Sequence, residues 1–411
     1  MASSQLNLGK LQAAVASSGA FRARTRLQPA GGPGDKVFPP TFAGAVYAIE
    51  QRRLRDQETP VTCVLLDSVQ SQANRMELSL QEAVDAGQIS MPLIVVDFSP
   101  HDPTGDLDAD QAAGRLLDSV GKVTSLQVPH RVADAILRDS ELDGVPFRKS
   151  NRGRCLNTVS PAIATPLFEL CPTALVFGMW DSTGPKGGLG PKFERAMVSE
   201  IVGIGAEWQD DYRARGVRRD PLEISRNVAV LRNEDKSLRQ VADSGERGAV
   251  RPSAINHSSV PFDSRNSGVT VEYVEQITTL SLIVLRRLRF PVNGSRNPEV
   301  DVAARTVLAA LGLCAATLAF EAGVALRSRC LLWPDGPLTW ELLERPGAEA
   351  KRFSLDGDEA RALLRDAVVS AKRAGLPWPE EPVVLQPSRE LVKLVRLSQV
   401  ELVKAGAEEA A

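Results

Sequence analysis

The stretch from Val300 to Leu326 constrains the fold most, because it is long, almost wholly apolar, and rich in Ala with interspersed Gly. Small side chains let a helix lie close on a sheet, so this segment is expected to be the longest helix and a large part of the core. Its section Thr306 to Leu326 has nearly the length of a membrane span. Glu321 within it and its many Ala residues point instead to burial inside a protein.

Strand candidates that such a helix could cover lie on both sides of it. "VTCVLLD" (Val61 to Asp67) is a short β-branched run ending at a carboxylate that can cap a following helix. That helix is expected from Val69, Ala73, Met76, Leu80 and Ala83 at helical spacing, with Gly87 as its stop. "MPLIVVDF" (Met91 to Phe98) reads as a strand, followed by an acidic loop holding Asp102, Asp106, Asp108 and Asp110. A helix starting near Pro129 is expected to bury Val132, Ala135 and Ile136, with Arg131 and Arg138 on its other side. "TALVFGMW" (Thr173 to Trp180) reads as a central strand, and Val269 to Phe290, including "LSLIVL", as one or two more.

The Gly- and Pro-rich segment Gln28 to Pro40 reads as a loop, so residues 1–40 are expected to be a lead-in and the main body to span 41–345. Residues 207–261 turn polar and read as an insertion with mobile parts. The tail 346–411 is expected to be a helical extension, with helices near Asp358 to Ala374 and Arg389 to Lys404. The chain shows no fixed-period repeat, which argues against a solenoid.

A net charge of -2 excludes bulk positive charge as the basis of any nucleic-acid binding, so such a role must rest on local clusters. Five cysteines without C-x-x-C spacing fit free thiols in a reducing compartment, and three scattered histidines give no zinc pattern. The N-terminal residues lack the order of a signal peptide, so a cytoplasmic location is expected, without membrane contact. No cofactor or metal site is expected.

The most informative local stretch is "WDSTGPKGGLGPKFERA" (Trp180 to Ala196). Its glycines, Gly187 and Gly188 among them, let backbone amides approach an anion that Lys186 and Lys192 neutralise. It fits neither the Walker A pattern nor G-x-G-x-x-G, and a plain tight turn is the bland alternative. "FRKSNRGR" (Phe147 to Arg154) supplies Arg148, Lys149, Arg152 and Arg154 without an acid among them, suiting either a polyanion or a solvated basic turn. His130 and Arg131 can meet a phosphate at a helix start, or His130 can be structural. Gln70, Asn74 and Arg75 can touch RNA from the first helix or simply face solvent. No G-x-S-x-G, H-E-x-x-H or Cys–His pairing supports catalysis. Asp181 beside the glycines suits a turn-stabilising role better than that of a general base.

Taken together, "LLDSVQSQANRME", "PHRVADAILRDS" and "CPTALVFGMWDSTGPKGGLGPKFERAMVSEIVGIGAEW" resemble the Cas-seven family backbone subunit of type I-G (formerly I-U) CRISPR effectors, over about Leu65 to Trp208. The resemblance implies an α+β chain of the RAMP superfamily. Its fold would be a modified RNA-recognition (ferredoxin-like) palm with an antiparallel sheet, helices on one face, and finger and thumb insertions. It also implies a non-catalytic, multi-copy subunit in a prokaryotic cytoplasm. Such a subunit binds crRNA in a filament with neighbouring copies, meets the target DNA strand, and assembles with Cas-five-like, Cas-six-like and large subunits of a Cascade complex. On this reading Asn74, Arg75, His130, Arg131, Arg138, Arg148, Lys149, Arg152, Arg154, Lys186, Gly187, Gly188 and Lys192 form the RNA-binding set. The aromatic consensus of ordinary RNA-recognition domains is absent, so backbone contact is expected rather than base stacking on the sheet. Two rivals remain: a metal-dependent RNA nuclease of the same superfamily, and a self-assembling protein that binds no RNA.

Overall fold

The computed structural model describes residues 4–43, 46–55, 57–184, 187–207, 222, 224, 228–232, 238–242, 246–251 and 268–410. The chain divides into a larger unit (residues 1–100, 120–207 and 268–391) and a smaller one (101–119, 208–267 and 392–411).

The larger unit is mixed α+β. Its main sheet runs in the order Ser4–Gln5, Lys351–Ser354, Thr339–Leu343, Ala20–Pro29, Tyr273–Ser281, Met197–Ile204, Val61–Asp67, Ile49–Arg52, and the hairpin Val324–Arg327/Cys330–Pro334 joins it at Ala20–Pro29. Ser4–Gln5 pairs in parallel with Lys351–Ser354, and the other described pairings in this sheet are antiparallel.

Period-two alternation gives the sheet two different faces. Along Ala20–Pro29 the buried residues are Phe21, Ala23, Thr25 and Leu27, while Arg22, Arg24 and Arg26 point the other way. The helix Pro298–Glu321 covers the buried face: a Cβ on Gly312 would lie 3.2 Å from Met197 Cε and 3.5 Å from Leu280 Cδ1, so glycine lets it come close. The helices Leu8–Ser17, Val69–Asp85 and Gly357–Arg373 pack against this long helix. Among the described residues it is the helix that by length and composition could cross a membrane, yet 83% of its most apolar window is buried in protein, as expected of a core helix.

The helix Val69–Asp85 also carries buried polar groups. Gln72 accepts from Ser199 Oγ at 3.0 Å and from Gln276 Nε2 at 2.8 Å, so it meets the sheet through a satisfied polar seam rather than apolar packing alone.

A second sheet orders Val145–Pro146, Ser140–Leu142, Val383–Pro387, Ile94–Asp97 and Lys122–Thr124, with the third and fourth parallel. It matters here because Val145–Pro146 feeds directly into the basic segment 147–154.

Several expectations need correction. Residues 1–40 are no lead-in, since Ala20–Pro29 lies inside the main sheet. Residues 346–411 are not simply a helical extension: Lys351–Ser354 and Val383–Pro387 are strands of the two sheets, although the expected helices appear as Gly357–Arg373 and Arg389–Ala410. Thr173 to Trp180 is not one strand. Thr173–Phe177 is a buried helical turn after Pro172, Gly178 takes φ 81, and Met179–Trp180 pairs with Lys192–Phe193. A short continuous apolar run is compatible with either conformation, and Pro172 supports the helical start. Likewise "LSLIVL" breaks at Ser281, whose side chain accepts from Val284 N and starts the helix Leu282–Arg286. Ser68, not Asp67, caps the Val69–Asp85 helix.

In the smaller unit, the acidic loop contains the short helix Leu107–Ala113, capped by Asp106. The expected insertion at 207–261 lies largely outside the described residues; its described part holds the strands Ala229–Arg232, Leu238–Ala242 and Ala249–Val250.

Candidate nucleic-acid interface

The glycine-rich loop begins and ends on a two-residue hairpin, Met179–Trp180 against Lys192–Phe193, closed by Asp181 N–H donating to Pro191 O at 3.0 Å. Met179 and Phe193 are buried and anchor it. Their neighbours Trp180 and Lys192 are directly opposite each other on the exposed face, with Lys192 Nζ 5.5 Å from the centre of the indole.

Three contacts fix this hairpin to the rest of the unit. Arg148 Nη1 donates to Asp181 Oδ2 at 2.8 Å, in an ion pair whose side chains are 11% and 1% exposed. Arg131 donates Nη1 to Gly178 O at 3.1 Å. Ala196 N–H donates to Val176 O at 2.9 Å. The loop then folds tightly over Asp181: a Cβ on Gly190 would lie 1.9 Å from Asp181 O, backbone that only glycine clears, and one on Gly184 2.5 Å from Asp181 Oδ2, where a side chain would push the carboxylate aside. Among the described residues Arg148 Nε and Nη2 have no hydrogen-bond partner, which leaves donor capacity beside the loop for water or an anion.

The latch brings two sequence-predicted segments together. The basic segment 147–154, folded as the turns Phe147–Lys149 and Arg154–Asn157, sits against the glycine-lysine loop through Arg148. Lys149, Arg152, Arg154 and Lys192 are exposed, and no ion pair is found for them among the described residues. Glu169, half-buried, has its carboxyl pushed up by burial, with Arg152 acting against that shift. Gly187 takes φ 54, and nothing stands within 4 Å of a Cβ on Gly187 or Gly188, so this side of the loop is open. Lys186 lies outside the described residues.

Other expected members are placed differently. Arg131 does not share an exposed side with Arg138: it is buried at φ 52 in a turn, Arg131–Ala133, and its guanidinium is engaged by Glu77. Of the three residues expected to be buried there, Val132 is, but Ala135 is exposed and Ile136 only partly covered. Arg138 pairs with Asp139, which holds its guanidinium pKa above the usual value. His130 is exposed, its backbone N–H donating to Asp134 Oδ2. Asn74 is exposed on its helix, whereas Arg75 binds Asp67 Oδ2 at 3.0 Å and the carbonyls of Ala325 and Leu326, a structural use of the side chain.

The sequence reading missed Trp180, and it also missed Arg195, exposed and packed beside Gly178. It missed a basic sheet face as well: Arg22, Arg24, Arg52 and Arg53 border a shallow hollow of about 480 Å³ with Leu54, Ile204, Glu275 and Ile277. The alternating arginines of "FRARTR" were its signal. This face is nearly charge-balanced, because Arg22 pairs with Glu341, Arg24 with Glu275, Arg26 with Asp335, and Arg52 with both Glu50 and Glu200. A polyanion there would have to displace carboxylates, whereas the cations around the latch stand ready.

No curated protein sequence matches the chain. Residues 21–208, a stretch that holds the latch and the exposed cations around it, are similar to the family described as CRISPR-associated protein GSU0053, a match that supports a CRISPR-associated protein with a role in CRISPR defence.

Proposed function

We propose that the protein is a non-catalytic, multi-copy backbone subunit of a type I-G CRISPR surveillance complex, binding crRNA along its phosphates and supporting pairing of the guide with the target DNA strand. The observation that carries this reading is the Arg148–Asp181 ion pair, which joins the 147–154 segment to the glycine-lysine loop and so groups Lys149, Arg152, Arg154 and Lys192. Grouped cations without an ion pair among the described residues, beside open glycine backbone, suit phosphates and carry little base information, as a subunit serving any guide requires. The mixed α+β unit with its antiparallel main sheet is compatible with a RAMP-type palm. In this reading the chain acts in a prokaryotic cytoplasm, stacks with copies of itself, and meets Cas-five-like, Cas-six-like and large subunits.

The test is co-expression with a CRISPR array, followed by sizing of the bound RNA and a salt titration of its affinity. Short RNA of uniform length should co-purify. Replacing Lys149, Arg152, Arg154 and Lys192 together by Ala should lower the slope of log affinity against log salt by about 3, from ~0.7 per phosphate contact on a single strand. Failure to retain or bind RNA at low salt sinks the reading. RNA shortened in a metal-dependent way that Asp181→Asn abolishes would replace it with the nuclease alternative, and filaments indifferent to RNase and salt would replace it with the self-assembly one.

A further inference from the structure

Exposure alone does not single out Trp180, since Leu189 on the same loop is 89% exposed; what does is a large flat aromatic face set opposite a lysine on an anchored hairpin. Trp180 is 54% exposed, although Met179 beside it and Phe193 across from Met179 are buried. The hairpin is thus amphipathic in the ordinary period-two way, but the outward position opposite Lys192 is filled by an aromatic. The anchoring face, the Asp181–Pro191 closure and the Arg148–Asp181 pair hold the backbone of Trp180 in a fixed place. The ring is therefore presented by a rigid support, with the Lys192 ammonium over one face 5.5 Å from its centre, and beside it the latched segment carries cations for which no ion pair is found among the described residues.

A flat π face beside a positive charge matches one ligand chemistry particularly well: a nucleotide of a single strand, whose base stacks on the ring while its phosphate meets the ammonium. We propose that Trp180 is a base-stacking platform for single-stranded RNA, with Lys192 taking the adjoining phosphate. This rests on the RNA-binding reading and adds to it a base contact on the loop, separate from the sheet face. Stacking tolerates every base, so it is compatible with a protein that must accept any sequence. It would set where along the strand the bases are held, while the cations set how tightly the backbone is held.

The experiment compares two probes of equal length and charge, an oligouridylate and the same backbone lacking its bases, on protein freed of RNA at high salt. Trp180→Leu should weaken oligouridylate binding about tenfold, the effect of losing one base–aromatic stack. It should leave the abasic strand unaffected, and Trp180→Phe should restore most of the loss. Melting temperatures should stay the same, since the ring is not part of the core. Equal weakening of both probes would mean that Trp180 merely supports the loop, and would overturn the proposal. So would unchanged oligouridylate binding, including the case in which Trp180→Leu alters only the self-association of the RNA-free protein. If the unsubstituted protein binds neither probe, it is the RNA-binding reading itself that fails.

Discussion

Arg131 donates Nε to Glu77 Oε1 at 2.6 Å and Nη2 to Glu77 Oε2 at 2.7 Å, a two-pronged pair in which both side chains are buried and the arginine backbone is left-handed at φ 52. The pair ties the Val69–Asp85 helix to the turn below the hairpin, because the remaining Nη1 reaches Gly178 O. Arg131, expected to meet RNA, thus has its guanidinium engaged within the protein, where it positions the loop.

Removing one partner of such a pair leaves the other as an uncompensated buried charge. Arg131→Met is therefore expected to cost about 3–5 kcal/mol, and the double change Arg131→Met with Glu77→Leu to recover much of it. Urea midpoints of the three proteins check this. Burial already pushes the Glu77 carboxyl up, with Arg131 opposing that push, and without Arg131 the carboxyl rises further. The folded state of Arg131→Met then binds a proton that the unfolded state releases, so its deficit should be smallest in acid and grow as pH rises. A deficit independent of pH would mean that Glu77 is not left charged and buried.

The two glycines Gly190 and Gly188 make a matched pair for testing how closely the loop is folded. A Cβ at Gly190 would strike the Asp181 carbonyl oxygen, backbone that cannot turn aside, whereas nothing stands within 4 Å of one at Gly188. Gly190→Ala should lower stability by roughly 1–3 kcal/mol, in the range of overpacked sites, and should weaken RNA binding by displacing Asp181. Gly188→Ala should leave the melting temperature unaltered. Equal effects at both positions would show that the loop does not close on Asp181 as described.

How much of this was legible in the sequence differs from element to element. The Val69–Asp85 helix follows from apolar spacing, whereas the Val61–Asp67 strand and the long helix are buried on more than one side and follow from the length of their apolar runs. The long helix ends at Glu321, short of the expected Leu326, because Gly323 turns the chain into the strand Val324–Arg327. The Ala20–Pro29 strand was hidden because its outward face is dominated by Arg22, Arg24 and Arg26 and a Gly- and Pro-rich loop follows it; its alternation is plain only when Phe21, Ala23 and Leu27 are counted against those arginines. Within the site, the grouping of the basic segment with the loop depends on Asp181, whose partner Arg148 is distant in sequence. Arg131 could not be told from an exposed arginine, because its burial is set by Glu77 on another element. Trp180 likewise reads as core in an apolar run until the hairpin register places it outward.

The five thiols should differ sharply toward a water-soluble disulfide reagent. Cys63, Cys171, Cys314 and Cys330 are buried, and Cys155 alone is partly open. Burial raises the thiol pKa of Cys155, so its reaction should be slow, while that of Cys314 is pushed up to about 12 and keeps it a neutral thiol in the folded protein. Native protein should therefore release one equivalent of thionitrobenzoate, and Cys155→Ser should abolish it, with all five reacting in denaturant. The stability that comes from burying Cys314 neutral is present below the ordinary value of 9.0 and is lost as pH climbs through the folded value of about 12.

In the smaller unit, Asp110 organises the turn that precedes its own helix. It accepts from Thr104 Oγ1 at 2.7 Å, from Thr104 N at 2.9 Å and from Gly105 N at 3.2 Å, with Arg115 Nε 3.6 Å away. The Thr104 hydroxyl is the largest of the influences that hold the carboxyl below the ordinary value of 3.8. Together these bonds use acceptor sites on both carboxylate oxygens and so favour the ionised form, and the folded state keeps Asp110 deprotonated where the unfolded chain has begun to take up its proton. The contribution is thus complete above the ordinary value and is lost as pH falls through the lowered folded one. Amide exchange at Thr104 and Gly105 should quicken over that acid range, beyond the intrinsic change for free peptide. Asp110→Asn should show fast exchange at both amides already at neutral pH and no further acid step. Protection that persists in the Asn variant would assign the turn to backbone geometry instead of to the charge on Asp110.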